Sequence, residues 1–169
     1  MKRRVLLVSF ISLVLLIAGA VWGASQFDLS ALEEPGETEI YLATRAKHWL
    51  VGRRARSIVP PPAGDPERAR FAGEMNFGGS CATCHGYDGR KPSDIGRSQY
   101  PPSPDLGSPA VQEWSDAEFF WIIKHGIRHS GMPGFGRIHS DEEIWNLVRF
   151  VRSLGEAKQP SGAEASGAN

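Results

Sequence analysis

The chain has 169 residues with 19 acidic and 19 basic side chains, so its formal charge is zero with neutral histidines. That balance argues against a nucleic-acid binder, which carries a basic excess. Two cysteines exclude a disulfide-dense scaffold, and 12 prolines with 19 glycines demand a large share of loop. The length suits one domain with accessories rather than two full domains.

The N-terminus is the first organised segment. Lys2, Arg3 and Arg4 precede an apolar run from Val5 to Ala24. As a helix this run would be about 30 Å long, enough to cross the hydrocarbon core of a bilayer. Asp28, Glu33, Glu34, Glu37 and Glu39 follow, so the positive-inside rule puts the N-terminus in the cytoplasm and the rest outside. A cleaved signal peptide competes, because Ala18-Gly19-Ala20 resembles a small-residue cleavage site. Cleavage after Ala24 would place bulky Trp22 at the minus-three position, which disfavours it. Both readings export the remainder. The expectation is a protein on the periplasmic side of the bacterial inner membrane, anchored by residues 5–24, with a soluble periplasmic form after cleavage as the alternative.

Ser30–Glu34 has room for a single helical turn before Pro35-Gly36 breaks the chain. A helix is expected over residues 37–56, with acidic Glu37 and Glu39 in its first turn and Arg53, Arg54 and Arg56 near its end, as the macrodipole prefers. Leu42, Ala46, Trp49 and Leu50 share one face. A basic amphipathic helix on a membrane or against the domain, or a solvated helical linker, would each account for it. Pro60-Pro61-Pro62-Ala63-Gly64 marks a boundary. Residues 156–169 lack apolar periodicity and read as a disordered tail. The expected organisation is an anchor or signal segment over 1–24, a linker over 25–64 and a domain over 65–155. A segment of about ninety residues is small for a self-sufficient core, so a cofactor or other staple would help it.

Cys81-Ala82-Thr83-Cys84-His85 is the segment that carries chemistry. C-x-x-C-H is the attachment signature for c-type haem. Two thiols three positions apart can reach the two vinyl groups on one haem edge, and the following His is held under the iron. A thioredoxin-like pair would want a strand before it and a long helix after it, whereas Gly78-Gly79 precede and Gly86, Gly89 and Pro92 follow. A zinc site would draw on His125, His129 or His139, of which only His125 and His129 have a finger-like spacing. Downstream, Ser130-Gly131-Met132-Pro133-Gly134 is a stiff loop that could present a soft thioether as the second axial ligand. Met75, inside a helix just before the haem motif, reads instead as a gap-filling core residue.

These pieces together resemble a small class I, mono-haem c-type cytochrome. Phe71-Ala72-Gly73 is similar to the family's N-terminal helix, where a glycine permits a close crossing. Cys81 to His85 match the attachment site, and Gly131-Met132-Pro133 the distal ligand loop. Pro104-Asp105-Leu106 resembles the segment whose proline carbonyl orients the proximal His. Phe119–Gly126 resembles the central helix, and Asp141–Leu154 the C-terminal helix with Phe150 at its aromatic position. The resemblance covers roughly residues 67–154. It implies an all-α, class I cytochrome c fold of three main helices and long loops, preceded here by the N-terminal apolar helix. It implies one covalent haem c held by Cys81 and Cys84, iron ligated by His85 and Met132, and a carrier of single electrons rather than an enzyme. Redox proteins would be donor and acceptor, with membrane attachment through the anchor, no nucleic acid and no small-molecule substrate. A haem enzyme or gas sensor with an open or labile distal position is the alternative.

Local signals agree with that outline. Asp65 and Pro66 open one helix, which Gly78-Gly79 should end. Ser115 caps the next over Asp116 and Glu118, and Gly126 stops it. Ser140 with Glu143 forms a capping box for the last, whose Ile144, Leu147, Val148, Val151 and Leu154 make an apolar stripe. Arg97, Tyr100 and Trp121 are candidates to touch the haem edge or propionates.

Overall fold

A computed structural model of the chain describes residues 2–26, 30, 32–33, 35–62 and 64–156. The expected tail from residue 157 onward, and much of the expected turn at 30–34, lie outside the described residues. Among these residues the secondary structure is entirely helical, with eight helices and no strand. The chain divides into two compact units, residues 1–30 and 31–169.

The first unit is built on α1 (Lys2–Ser25), none of whose residues is buried. Its 24 residues include an 18-residue stretch with a mean hydropathy of 2.7, and it is the one helix among the described residues long and apolar enough to cross a membrane. The second unit contains α2 (Glu37–Ala55), α3 (Pro66–Ser80), the single turn α4 (Ala82–His85), the short helices α5 (Asp94–Arg97) and α6 (Pro109–Gln112), α7 (Asp116–His125) and α8 (Asp141–Glu156).

Helix α3 starts where the sequence predicts. The Asp65 side chain accepts from the amides of Glu67 and Arg68 at 3.1 and 3.2 Å, and Pro66 takes the first helical position, where its missing N–H costs nothing. Its end differs from expectation: the helix runs through Gly78-Gly79 to Ser80, and the Cys81 amide still bonds the Phe77 carbonyl at 2.8 Å. Glycine in a helix costs about 1 kcal/mol, too little to break one that is pinned by tertiary packing. The pin is Phe77, which is 2% exposed.

Phe77 and Gly73, one turn apart, are the face of α3 that meets α8. A Cβ on Gly73 would lie 2.0 Å from the Asn146 carbonyl oxygen and 3.0 Å from the Phe150 Cβ. The two backbones therefore touch at this point, and Phe77 stacks obliquely on Phe150 with ring centroids 4.9 Å apart. Met75 is the correction that follows. It falls on the opposite side of α3 and is 64% exposed, so it fills no core gap. From α8, Ile144, Leu147, Val148 and Val151 enter the core as expected, joined by Trp145, which stacks on Phe120 of α7. Helix α7 buries Phe119, Phe120, Ile122 and Ile123 beneath a capping box in which Ser115 and Glu118 satisfy each other's backbone amides. The corresponding box on α8 has the Ser140 amide and hydroxyl donating to Glu143 at 2.8 and 2.9 Å.

Helix α2 packs on α7 through Val51 and Ala55, and His48 stacks on Trp114 at 3.7 Å. The stripe of Leu42, Ala46, Trp49 and Leu50 noted in the sequence is on the other side and faces outward.

Two outcomes test this description. Gly73→Ala forces the α3–α8 backbones apart and should cost about 1–3 kcal/mol, as overpacking does, read as a lower denaturation midpoint with unchanged helicity. The hydrogen bonds from Ser140 hold the Glu143 carboxyl below its ordinary 4.5. A depressed carboxylate stabilises the fold above its unfolded-state value and loses that contribution as pH falls through the folded-state value. Glu143→Gln should therefore melt earlier than wild type at neutral pH and converge with it in acid.

Candidate haem site

Cys81 is both the last capping residue of α3 and the first of α4, so the direction of the motif is set by the helix before it. The amides of Cys84 and His85 both bond the Cys81 carbonyl, at 3.1 and 3.0 Å, closing one tight turn. Ala82 in that turn is buried in the core at 4% exposure, and Cys81 packs against the same cluster. The cysteines are half-buried and not joined to each other. Burial first, and the neighbouring Cys84 second, push the Cys81 thiol up to about 12, so it is fully protonated at neutral pH.

His85 lies against Phe77, ring centroids 6.5 Å apart. Its Nδ1 is wholly buried and makes no hydrogen bond of full geometry. Burial lowers the imidazole pKa and is the larger effect, while the Pro104 carbonyl acts the other way, so the net direction is down. The ring is therefore held neutral, the form that ligates a metal. A ligating histidine ordinarily directs its second nitrogen to a carbonyl. The orphaned Nδ1 beside Pro104 fits that arrangement.

Met132 arrives from the other side. It is half-buried against the same core cluster that Cys81 borders, together with Ile127 and Phe135. The loop is tied down at both ends. The Ile127 amide bonds the Met132 carbonyl at 3.2 Å, and the Met132 amide donates to Ser130 Oγ at 3.2 Å. Phe135 and Gly136 donate to the last carbonyls of α7, Ile123 at 3.0 Å and Lys124 at 2.9 Å. Gly126 makes this possible. Its φ is +69°, and a Cβ there would sit 2.6 Å from the Gly134 nitrogen and 2.7 Å from the Met132 carbonyl.

One side chain spans both walls and was not signalled by the sequence. Gln99 Nε2 donates to Cys84 Sγ at 3.3 Å, while Ser103 Oγ donates to Gln99 Oε1 at 3.0 Å. The same amide lies under the distal loop, where a Cβ on Gly131 would fall 2.4 Å from Gln99 Cδ. A second unsignalled contact is Ser80 Oγ with His139 Nε2 at 2.8 Å, which ties the end of α3 to the start of α8. The other candidates have partners of their own. Arg97 is exposed and pairs with Asp94, Tyr100 donates to Glu39 of α2 at 2.7 Å, and Trp121 packs on His125 at 4.9 Å. His125 and His129 are exposed. Among the described residues no three His, Cys, Asp or Glu side chains converge as a metal cluster, which leaves a zinc site on the two cysteines without partners.

The connection from Gly86 to Pro109 is long but closely stitched. Ser93 donates to the Cys84 carbonyl at 3.1 Å, Ser103 to Gly96 at 2.9 Å and Leu106 to Gly89 at 2.9 Å. The Asp88 carboxylate accepts the Lys91 and Arg90 amides, and these bonds hold its pKa below the usual range.

A C-x-x-C-H turn extending a helix that crosses the C-terminal helix belongs to a c-type cytochrome domain, a haem-binding module of electron transfer. Residues 69–151 match the family model for cytochrome c oxidase, cbb3-type, subunit III. The fold is also similar to that of a chain from the Kuenenia stuttgartiensis reducing HAO-like protein complex Kustc0457/Kustc0458, with a TM-score of 0.51 and 24% identity over 57% of this chain and 47% of that one. The segment thus spans about half the length of that chain, and the likeness concerns the fold.

Gly126→Ala should strain a left-handed position and lift the loop. The expected result is a lower melting temperature with faster amide exchange at Phe135 and Gly136, while amides in the middle of α3 keep their protection.

Proposed function

We propose that the protein is a mono-haem cytochrome that carries single electrons between redox proteins on the periplasmic side of a bacterial inner membrane, held there by α1. The observation that carries this reading is the meeting of the Cys81–His85 turn and the Met132 loop across Gln99, with His85 Nδ1 buried beside Pro104. Cys81 and Cys84 would hold one haem through thioethers, and His85 and Met132 would ligate its iron. When bound, the haem supplies a one-electron ferric/ferrous couple.

The chain's own residues account for the remaining requirements. Burial keeps His85 neutral, and the Pro104 carbonyl orients its ring. The thioether of Met132 would be a soft ligand that favours the reduced state and raises the potential. The loop from Ile127 to Gly136, closed onto the end of α7, would shield the Met132 side of a bound haem from water. No general base or nucleophile is needed, because electron transfer breaks no bond. With a formal charge of zero the protein has little long-range field, so encounter with partners should depend weakly on salt.

The test is spectroscopy and mass on the haem-loaded full chain. The denatured protein should carry the mass of one haem, and Cys81→Ala with Cys84→Ala should abolish that adduct. The ferric form should show the near-infrared thioether-to-iron charge-transfer band. Met132→Ala should remove the band and lower the potential by one or more tenfold steps in the equilibrium, about 59 mV each for one electron. A high-spin ferric wild type would favour an open distal position, as in a haem enzyme or gas sensor, and would overturn the carrier reading.

A further inference from the structure

The family match begins at residue 69, yet the second compact unit begins at residue 31, and α2 is the largest element between them. One side of α2 is consumed by packing on α7 and Trp114. The side away from it carries a second apolar ridge. Leu42, Trp49 and Leu50 are 59%, 60% and 54% exposed, with Ala46 between them. At 3.6 residues per turn these positions stack along one line. Arg45 borders the ridge on one edge and Arg54 on the other, and Arg53 continues the ridge one turn beyond Trp49, all exposed. The cations lie close to the aromatic rings, Arg53 over Trp49 at 4.9 Å and Arg45 over Tyr41 at 6.0 Å. Between Glu37 and Arg56 there are five cationic and two anionic side chains, in a chain whose total is zero.

We propose that this outer face of α2 binds an anionic lipid surface, laying the cytochrome domain on the membrane. An aromatic and leucine ridge flanked by arginines is the pattern of an interfacial helix. The apolar side chains enter the boundary between headgroups and acyl chains, and the guanidinium groups reach sideways to phosphates. Charge complementarity selects phosphate-bearing lipid over an uncharged apolar partner. Chain length agrees: residues 26–36 connect α1 to α2, and an eleven-residue connection spans at most about 40 Å. A helix tethered that closely to a membrane span meets headgroups at high effective concentration. This last step rests on the reading of α1 as a retained anchor; the lipid-facing ridge does not.

The experiment uses the haem-loaded full chain in nanodiscs of phosphatidylcholine alone or with phosphatidylglycerol, footprinted by hydroxyl radicals and read by mass spectrometry. Trp49, Leu42 and Leu50 should lose labelling several-fold in the anionic discs relative to Tyr87 and Ile138, exposed residues of the same unit. High salt, or the combined variant Arg45→Glu, Arg53→Glu and Arg54→Glu, should restore it, with an unchanged haem spectrum showing that the fold is intact. Equal labelling in both lipids would overturn the proposal. So would protection of Trp49 that appears only on adding a co-purifying protein, which would assign the ridge to a protein partner. The mass of the N-terminal peptide reports separately whether α1 is retained, so loss of the anchor and loss of the lipid contact are told apart.

Discussion

The close crossing of α3 and α8 is the contact on which the rest of the haem-binding unit depends. It brings the Asn146 carbonyl against Gly73 with no room for a side chain, and it places Phe77 on Phe150. Because Cys81 is the cap of α3, the angle of this crossing aims the attachment turn. His85 then lies against Phe77, so the same aromatic ring braces the helix pair and the proposed proximal ligand. The Ser80–His139 bond repeats the connection one turn further along, at the point where α3 gives way to the motif.

The opposite wall obeys a different constraint. Met132 is presented by a loop whose amides cap the carboxyl end of α7, so a short helix fixes the loop and the loop completes the helix. Orphan carbonyls at a helix end need partners, and here the partners are the residues just beyond the proposed ligand. Gln99 then joins the walls. Its amide is bonded to Cys84 Sγ and to Ser103 and is packed under Gly131, so displacement of either wall is felt by the other.

What could be read from the sequence was local. Capping boxes, the Pro at the first turn of α3, the C-x-x-C-H spacing and the Met-Pro loop each depend on residues within a few positions of one another, and each has a physical cause that acts at that range. Two expectations fail for the same reason. Gly78-Gly79 reads as a stop on local propensity, which omits the burial of Phe77, and Met75 reads as core because the sequence marks its helix but not which face is buried. Gln99 with Cys84, and Tyr100 with Glu39, were out of reach for another reason. They join segments 15 and 61 residues apart through polar side chains that carry no periodicity.

Helix α2 shows how two functions can hide each other in a sequence. Its apolar residues fall on two opposite sides, Val51 and Ala55 toward α7 and Leu42, Trp49 and Leu50 away from it. Summed around the helix they nearly cancel, so the segment has little net amphipathicity and resembles a solvated linker. Cancellation of this kind is the opposite of what a free linker helix would show, because exposing a Trp and two Leu on a helix that also buries a Val gains nothing in water. The inner side is explained by the stack of His48 on Trp114 and the fit beside α7. The outer side has no counterpart among the described residues of its own unit, and its arginines distinguish it from a simple apolar patch. In a chain with no net charge overall, concentrating cations on one such ridge would, on the proposed reading, keep membrane attachment apart from electron exchange.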